Sequence, residues 1–174
     1  ADSVFDYNNA NSELVGEVIR RATGEASGDY LQDRILDPLG IDPISLWVDE
    51  AGDHVNFSGI DATTRDFARF GLVVARGGTW GSEAVLPAAY VEESLAPGSD
   101  PFYGLHWWTY NQAYLDLASV WLLDGAPPPT APDHSFSMAW GANGQYIFPW
   151  PEEDLVIVIN TFYNYDEDLS LIHI

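Results

Sequence analysis

The hydrophobic periodicity of this chain changes once, near Pro97, and that change fixes the fold class. Upstream, apolar residues recur at helical spacing. Asn11 is placed to cap a helix whose apolar face is Leu14, Val15, Val18, Ile19 and Ala22, with Gly24 as its stop. A second helix is predicted from about Ser27 to Asp37, burying Tyr30, Leu31, Ile35 and Leu36. Pro38-Leu39-Gly40 ends it, because proline has no N–H to continue the ladder. Thr63 with Asp66 reads as a capping box, with Asp in place of the usual Glu. The helix behind it buries Phe67, Phe70, Leu72 and Val73 and stops at Gly77-Gly78. A fourth helix spans Pro87 to Leu95, with proline in its first turn.

Downstream of Pro97 the period drops to two and aromatic β-formers take over. Phe102–Tyr110, Ser135–Trp140, Gln145–Phe148 and Leu155–Thr161 read as strands, and Pro151-Glu152-Glu153-Asp154 joins the last two as a hairpin. The proline-rich run from Ala126 to Pro132 reads as a loop. Helices first and antiparallel strands later make an α+β protein. The expected portions are a mainly helical one over 1–97, antiparallel strands over 98–165, and a tail over 166–174 without the preceding pattern. The sheet is expected to be incomplete, with an edge that a further segment would cover.

Charge narrows the partners. Among 174 residues, 27 acidic side chains oppose 6 basic ones, for a formal charge of −21. Nothing here supplies the cationic stripe that phosphate binding needs, so neither nucleic acid nor an anionic membrane surface is expected as a partner. The longest aliphatic run, Leu155 to Ile159, is too short to span a bilayer. All the basic residues are arginines, the last being Arg76. Without lysine there is no Schiff base, no Walker A loop and no Ser-x-x-Lys nucleophile within these residues. Cysteine is absent too, which removes disulfides, zinc-thiolate sites and a thiol nucleophile. Self-repulsion at this charge predicts a stability that depends on salt. The chain opens at Ala1-Asp2-Ser3-Val4 without an initiator methionine, as a fragment would.

Candidate chemistry is sparse. His54, His106, His134 and His173 have no ligand spacing, so no metal and no cofactor are expected; His106, between Leu105 and Trp107, reads as a packed strand residue. Two polar segments stand out. Phe5-Asp6-Tyr7-Asn8-Asn9-Ala10-Asn11 places a tyrosine just before a helix, where a nearby cation would make it a proton acceptor; by itself the segment reads as a structural turn. Ala139-Trp140-Gly141-Ala142-Asn143-Gly144-Gln145 places glycines at a strand end, where a free backbone N–H serves an oxyanion hole; by itself it reads as a hairpin.

Taken in order, these elements resemble the class C β-lactamase superfamily of serine hydrolases. That group includes penicillin-binding DD-peptidases, family VIII esterases and 6-aminohexanoate-dimer hydrolases. The resemblance runs from Phe5-x-Tyr7-Asn8-Asn9-Ala10-Asn11 through Asp37-Pro38-Leu39-Gly40 to Ser58-Gly59-Ile60-x-Ala62-Thr63-x-Arg65-Asp66. It continues with Gly77-Gly78-x-Trp80, Val85-Leu86-Pro87, Tyr103-Gly104-Leu105-His106-Trp107-Trp108 and Gly141-x-x-Gly144-Gln145-Tyr146. It implies a β-lactamase/transpeptidase-like fold, a helical subdomain plus an antiparallel sheet, here incomplete at both ends. It implies acyl transfer by a serine in a Ser-x-x-Lys motif that lies upstream of Tyr7 in the family. Tyr7 then takes the role of the Tyr-x-Asn tyrosine, relaying protons, and Asn9 that of its asparagine, orienting substrate. The place of the third motif is taken by Ala139-Trp140-Gly141 or, in a shifted register, by Trp140-Gly141-Ala142, the second similar to the Trp-Gly-Gly of esterase relatives, with the Ala142 N–H as an oxyanion donor.

The third motif here lacks the family's usual lysine, which points away from a β-lactam carboxylate and towards an ester or amide. The implied partner is a small-molecule or peptide-like substrate, and the implied location of such a parent is bacterial periplasmic or secreted. The 174-residue chain alone is expected to be inactive. A competing reading is a non-catalytic peptide- or glycan-binding protein on the same fold, using Trp107, Trp108, Trp121 and Trp140.

Overall fold

A computed structural model of the chain describes residues 5–116 and 136–161. The proline-rich run, Trp121 and the expected tail lie outside them. Contacts gather the chain into two compact units, Ala1–Asp66 and Phe67–Ile174. No helix among the described residues is long and apolar enough to cross a membrane.

In the first unit, α1 spans Asn9–Thr23 and α2 Ser27–Leu31, the latter continuing as a π-helical turn over Gln32–Leu36. The cap of α1 is Asn8, not Asn11. Asn8 is extended (φ −143°, ψ 123°), which turns its side-chain oxygen back to accept the Ala10 N–H at 2.8 Å. Asn11 falls inside the helix, its N–H donating to the Asn8 carbonyl. Gly24 closes α1 in the left-handed region (φ 79°) and donates to the Arg20 carbonyl. The chain turns at Pro38, and Leu36, Leu39 and Ile41 form the buried apolar group. Two short strands pair antiparallel, β1 Ser45–Leu46 and β2 Ile60–Asp61. The buried side of α1 is Gly16, which lies on the Asn56 side chain; the expected apolar face instead leaves Leu14, Val15 and Val18 exposed.

In the second unit, α3 (Thr64–Ala75, beginning just before the junction) leads to the hairpin of β3 Thr79–Trp80 and β4 Glu83–Ala84, then α4 Ala88–Leu95. Thr63 and Asp66 make the expected reciprocal cap, each backbone N–H donating to the other's side chain at 3.2 Å. Four strands follow in one antiparallel sheet of order β5-β6-β7-β8: Trp108–Tyr110, Phe136–Gly141, Gln145–Trp150 and Leu155–Ile159. Register places Thr109, Ser137, Ala139, Ile147, Pro149, Val156 and Val158 on one face. Both helices pack there. Val74, Val91 and Trp107 form a core cluster with Phe70, Leu86, Leu95 and Ala139 against it, and Ser137 Oγ donates to the Leu95 carbonyl at 3.0 Å. Because α3 and α4 share this core with the strands, the units divide at Asp66, upstream of the secondary-structure change at Pro97.

The opposite face is an aromatic surface. Tyr110 stacks on Phe136 (4.7 Å between centroids), Phe136 on Trp150 (5.7 Å) and Trp140 on Tyr146 (6.4 Å). Leu155, Ile157 and Ile159 extend it along β8 and stay exposed. One expected strand is much shorter than predicted. Of Phe102–Tyr110 only Trp108–Tyr110 is β, because the preceding residues fold back onto the end of α4. There Gly104 lies against the Ser94 and Ala96 carbonyls and the Leu105 N–H donates to Ser94, so His106 is an exposed turn residue with φ 64°, not a packed strand residue.

Candidate active site

The two halves of the expected site lie in different units. In the first, Tyr7 is the residue before the Asn8 cap and is 55% exposed. Asn9 is the first helical residue of α1 and is also exposed. The cap explains why this polar run adopts a fixed shape. Asn8 neutralises an orphan helix N–H, which holds Tyr7 outside the helix and Asn9 just inside it.

In the second unit, β6 ends at Gly141, and Gly141 pairs with Gln145 across the loop Ala142-Asn143-Gly144. Asn143 and Gly144 both have positive φ (60° and 76°), the combination a type I′ turn requires and Asn-Gly supplies best. Ala142 is exposed, and among the described residues no acceptor receives its N–H. Trp140 points to the aromatic face, where it meets Trp108 at 5.5 Å and Tyr114 at 6.2 Å. Burial pushes the Tyr114 phenol up to about 12, with the Tyr146 and Tyr110 phenols adding to the shift. Tyr114 is therefore a neutral packing residue and not a proton acceptor.

Sequence reasoning missed two residues. Thr161, two positions beyond β8, donates its hydroxyl to the Asn143 carbonyl and, at 3.1 Å, to that of Gly144. The Gln145 side-chain amide donates to the Thr161 carbonyl at 2.5 Å. Only the register of β7 against β8 brings Thr161 to this turn, and no motif announces it.

The electrostatics of the second half are one-sided. No basic residue follows Arg76 in the sequence, and Arg76 is committed to Asp154 through two bonds of 2.7 and 2.9 Å. The turn thus offers neutral donors and no cation of its own. No group of three or more metal-ligating side chains occurs among the described residues. Of the tryptophans in the binding-protein reading, Trp107 and Trp108 are 8% and 7% exposed and belong to the core, Trp140 is half-buried, and Trp121 lies outside the described residues.

Comparison with known proteins places these features in a family. The family model described as Beta-lactamase matches residues 1–171. A 6-aminohexanoate-dimer hydrolase of Paenarthrobacter ureafaciens is 30% identical over 96 residues, which is 55% of this chain and 24% of the relative. A Bacillus anthracis structure assigned as a 6-aminohexanoate-dimer hydrolase superposes with a TM-score of 0.70 at 25% identity, covering 90% of this chain and 38% of that one. A Bacteroides dorei structure assigned as a beta-lactamase gives a TM-score of 0.60 at 17% identity, covering 90% and 51% respectively, and supports the fold. The chain thus spans between about a quarter and a half of the length of these relatives.

Proposed function

We propose a hydrolytic role for this chain, which belongs to the beta-lactamase family, as the downstream part of a longer serine hydrolase. The observation that carries the reading is the exposed Ala142 N–H in a turn that leaves it without an acceptor. A donor of that kind, fixed by backbone geometry, stabilises the negative charge that develops on a carbonyl oxygen under attack. The attacking group is a serine hydroxyl from an upstream Ser-x-x-Lys segment, whose own N–H is the second donor. Serine Oγ bonds to the carbonyl carbon and its proton passes through the lysine and Tyr7 to the departing alcohol or amine. Water then attacks the acyl-serine and restores the hydroxyl, its proton returning by the same groups. Asn9 orients the substrate beside them.

The substrate class is an ester or amide, with a lactam less favoured. A substrate carboxylate would need a cation, and the turn has none after Arg76. The aromatic surface gives the second reading, a non-catalytic peptide or glycan binder, its only support; with Trp107 and Trp108 in the core that reading is the weaker.

The test is the full-length parent assayed against ester, amide and lactam substrates. Tyr7→Phe is expected to slow acylation by about 10²–10⁴-fold, the usual scale for a positioned proton-transfer group. A variant as fast as wild type removes Tyr7 from the mechanism. The 174-residue chain alone is expected to show no turnover.

A further inference from the structure

Where α4 ends at Leu95, a cavity of about 480 Å³ lies over the helix-facing side of the sheet. Leu95 and Pro97 wall it on one side, and Thr109, Ser137 and Pro149 of the sheet wall it on another. Phe136, Trp150 and the turn Pro151–Glu153 complete it. The cavity sits at the far end of the strands from the candidate active site. β6 runs from Phe136 to Gly141 and β7 returns from Gln145 to Trp150, so about five residue steps, roughly 17 Å at strand spacing, separate the two.

Two features of the wall point to a ligand. The first is Thr109, which is 2% exposed. Its Oγ1 is the one buried side-chain polar atom among the described residues that has no hydrogen-bond partner. Ser137, opposite it in register, turns its own hydroxyl to the Leu95 carbonyl at 3.0 Å instead. A buried hydroxyl left unpaired is destabilising, and a ligand that brings a donor removes that penalty. The second feature is charge. Exposed Glu152 and Glu153 line the cavity, and neither has an ion-pair partner among the described residues. Arg76, the last basic residue of the chain, is held by Asp154. The carbonyl end of α4 adds partial negative charge, with no basic residue in its last turn. No basic side chain lines the cavity, while Leu95, Phe136 and Trp150 give it an apolar surround.

We propose that this cavity is a second binding site, for a small organic cation: a primary ammonium on a short apolar body. The ammonium N–H groups give Thr109 Oγ1 the partner it lacks, and Glu152 and Glu153 balance the charge. The apolar body lies against Leu95, Phe136 and Trp150, where an indole also favours a nearby cation. A carboxylate or phosphate would meet only like charge here. A neutral alcohol would pair with Thr109 and gain nothing from the two carboxylates. The site stands apart from the acyl-transfer reading and does not depend on it.

The test is a titration of the 174-residue chain with n-pentylammonium at fixed ionic strength, read by NMR at the Trp150 indole and the Thr109 and Ser137 amides. Saturable shifts are expected there, with 1-pentanol binding about 10-fold more weakly for want of the charge. A chain of charge −21 attracts any cation, so the decisive variant is a neutral one. Thr109→Val leaves the charge unchanged and is expected to weaken n-pentylammonium about 10-fold. It is also expected to raise the urea midpoint of the ligand-free chain, because it removes an unpaired buried hydroxyl. Glu152→Gln combined with Glu153→Gln is expected to weaken binding about 3–5-fold, and less at high salt, since both carboxylates are exposed. Shifts that bypass the cavity, or equal affinity in Thr109→Val, would overturn the site. If Thr109→Val does not fold, the ammonium–alcohol comparison needs no variant, and equal binding of the two would overturn the cationic assignment.

Discussion

Helices α1 and α3 carry similar apolar stripes and meet opposite fates. In α3, Val73, Val74 and Ala75 are 7% exposed or less. In α1, Leu14, Val15 and Val18 are 62%, 48% and 63% exposed. Each helix has one buried glycine at its contact, and the partners of those glycines account for the difference. Gly71 of α3 meets Val156 and Ile147, apolar side chains of the sheet. Gly16 of α1 meets Asn56, whose backbone and side-chain N–H groups are both held by the Glu13 carboxylate. An apolar stripe therefore predicts a helix, while the chemistry of the surface beside it decides which side is buried.

The sharpest way to break this contrast is to damage the sheet core. Trp107→Ala removes a ring that packs with Val74 of α3 and Val91 of α4 and is expected to cost about 3–5 kcal/mol in urea denaturation. A loss under about 1 kcal/mol would mean the second unit is not held by that core. Next in size is Gly71→Leu, which forces a side chain into Val156 and Ile147 and is expected to cost about 1–3 kcal/mol. Val18→Ala on the exposed stripe should lie within about 0.5 kcal/mol of wild type. A larger loss would show that the stripe is covered in solution.

The smallest expected effect is a pH dependence on α1. Hydrogen bonds from Arg20 and then Arg21 hold the Glu17 carboxyl at about 2, below its ordinary 4.5. A lowered value favours the folded state above the unfolded titration, and that contribution is lost as pH falls from 4.5 through about 2. Glu17→Gln is expected to lose this part of the acid dependence. An unchanged acid limb of the urea midpoint would detach Glu17 from it.

What was legible in the sequence follows the same division between local and long-range causes. The Thr63–Asp66 box, the Gly24 stop and the hairpin around Asn143-Gly144 depend on neighbours a few residues away, and all are present. Three asparagines, Asn8, Asn9 and Asn11, each suit a helix start, so the cap depended on the backbone direction and could not be told from composition. His106 and the shortened β5 were set by contact with the end of α4, at long range. For the candidate site, local physics read Tyr7 and the glycine turn only as turns. Their assignment to acyl transfer came from the order of motifs along the chain. Thr161 was illegible because only strand register brings it to Asn143.

The central proposal is that this chain, of the beta-lactamase family, belongs to a serine hydrolase whose nucleophile lies upstream of Tyr7. The most direct test is to read the encoding DNA upstream of Ala1 in the same frame for several hundred bases. The account predicts a Ser-x-x-Lys at the start of a predicted helix. A continuous open frame without that motif would contradict it and leave ligand binding on the aromatic face as the function to assay.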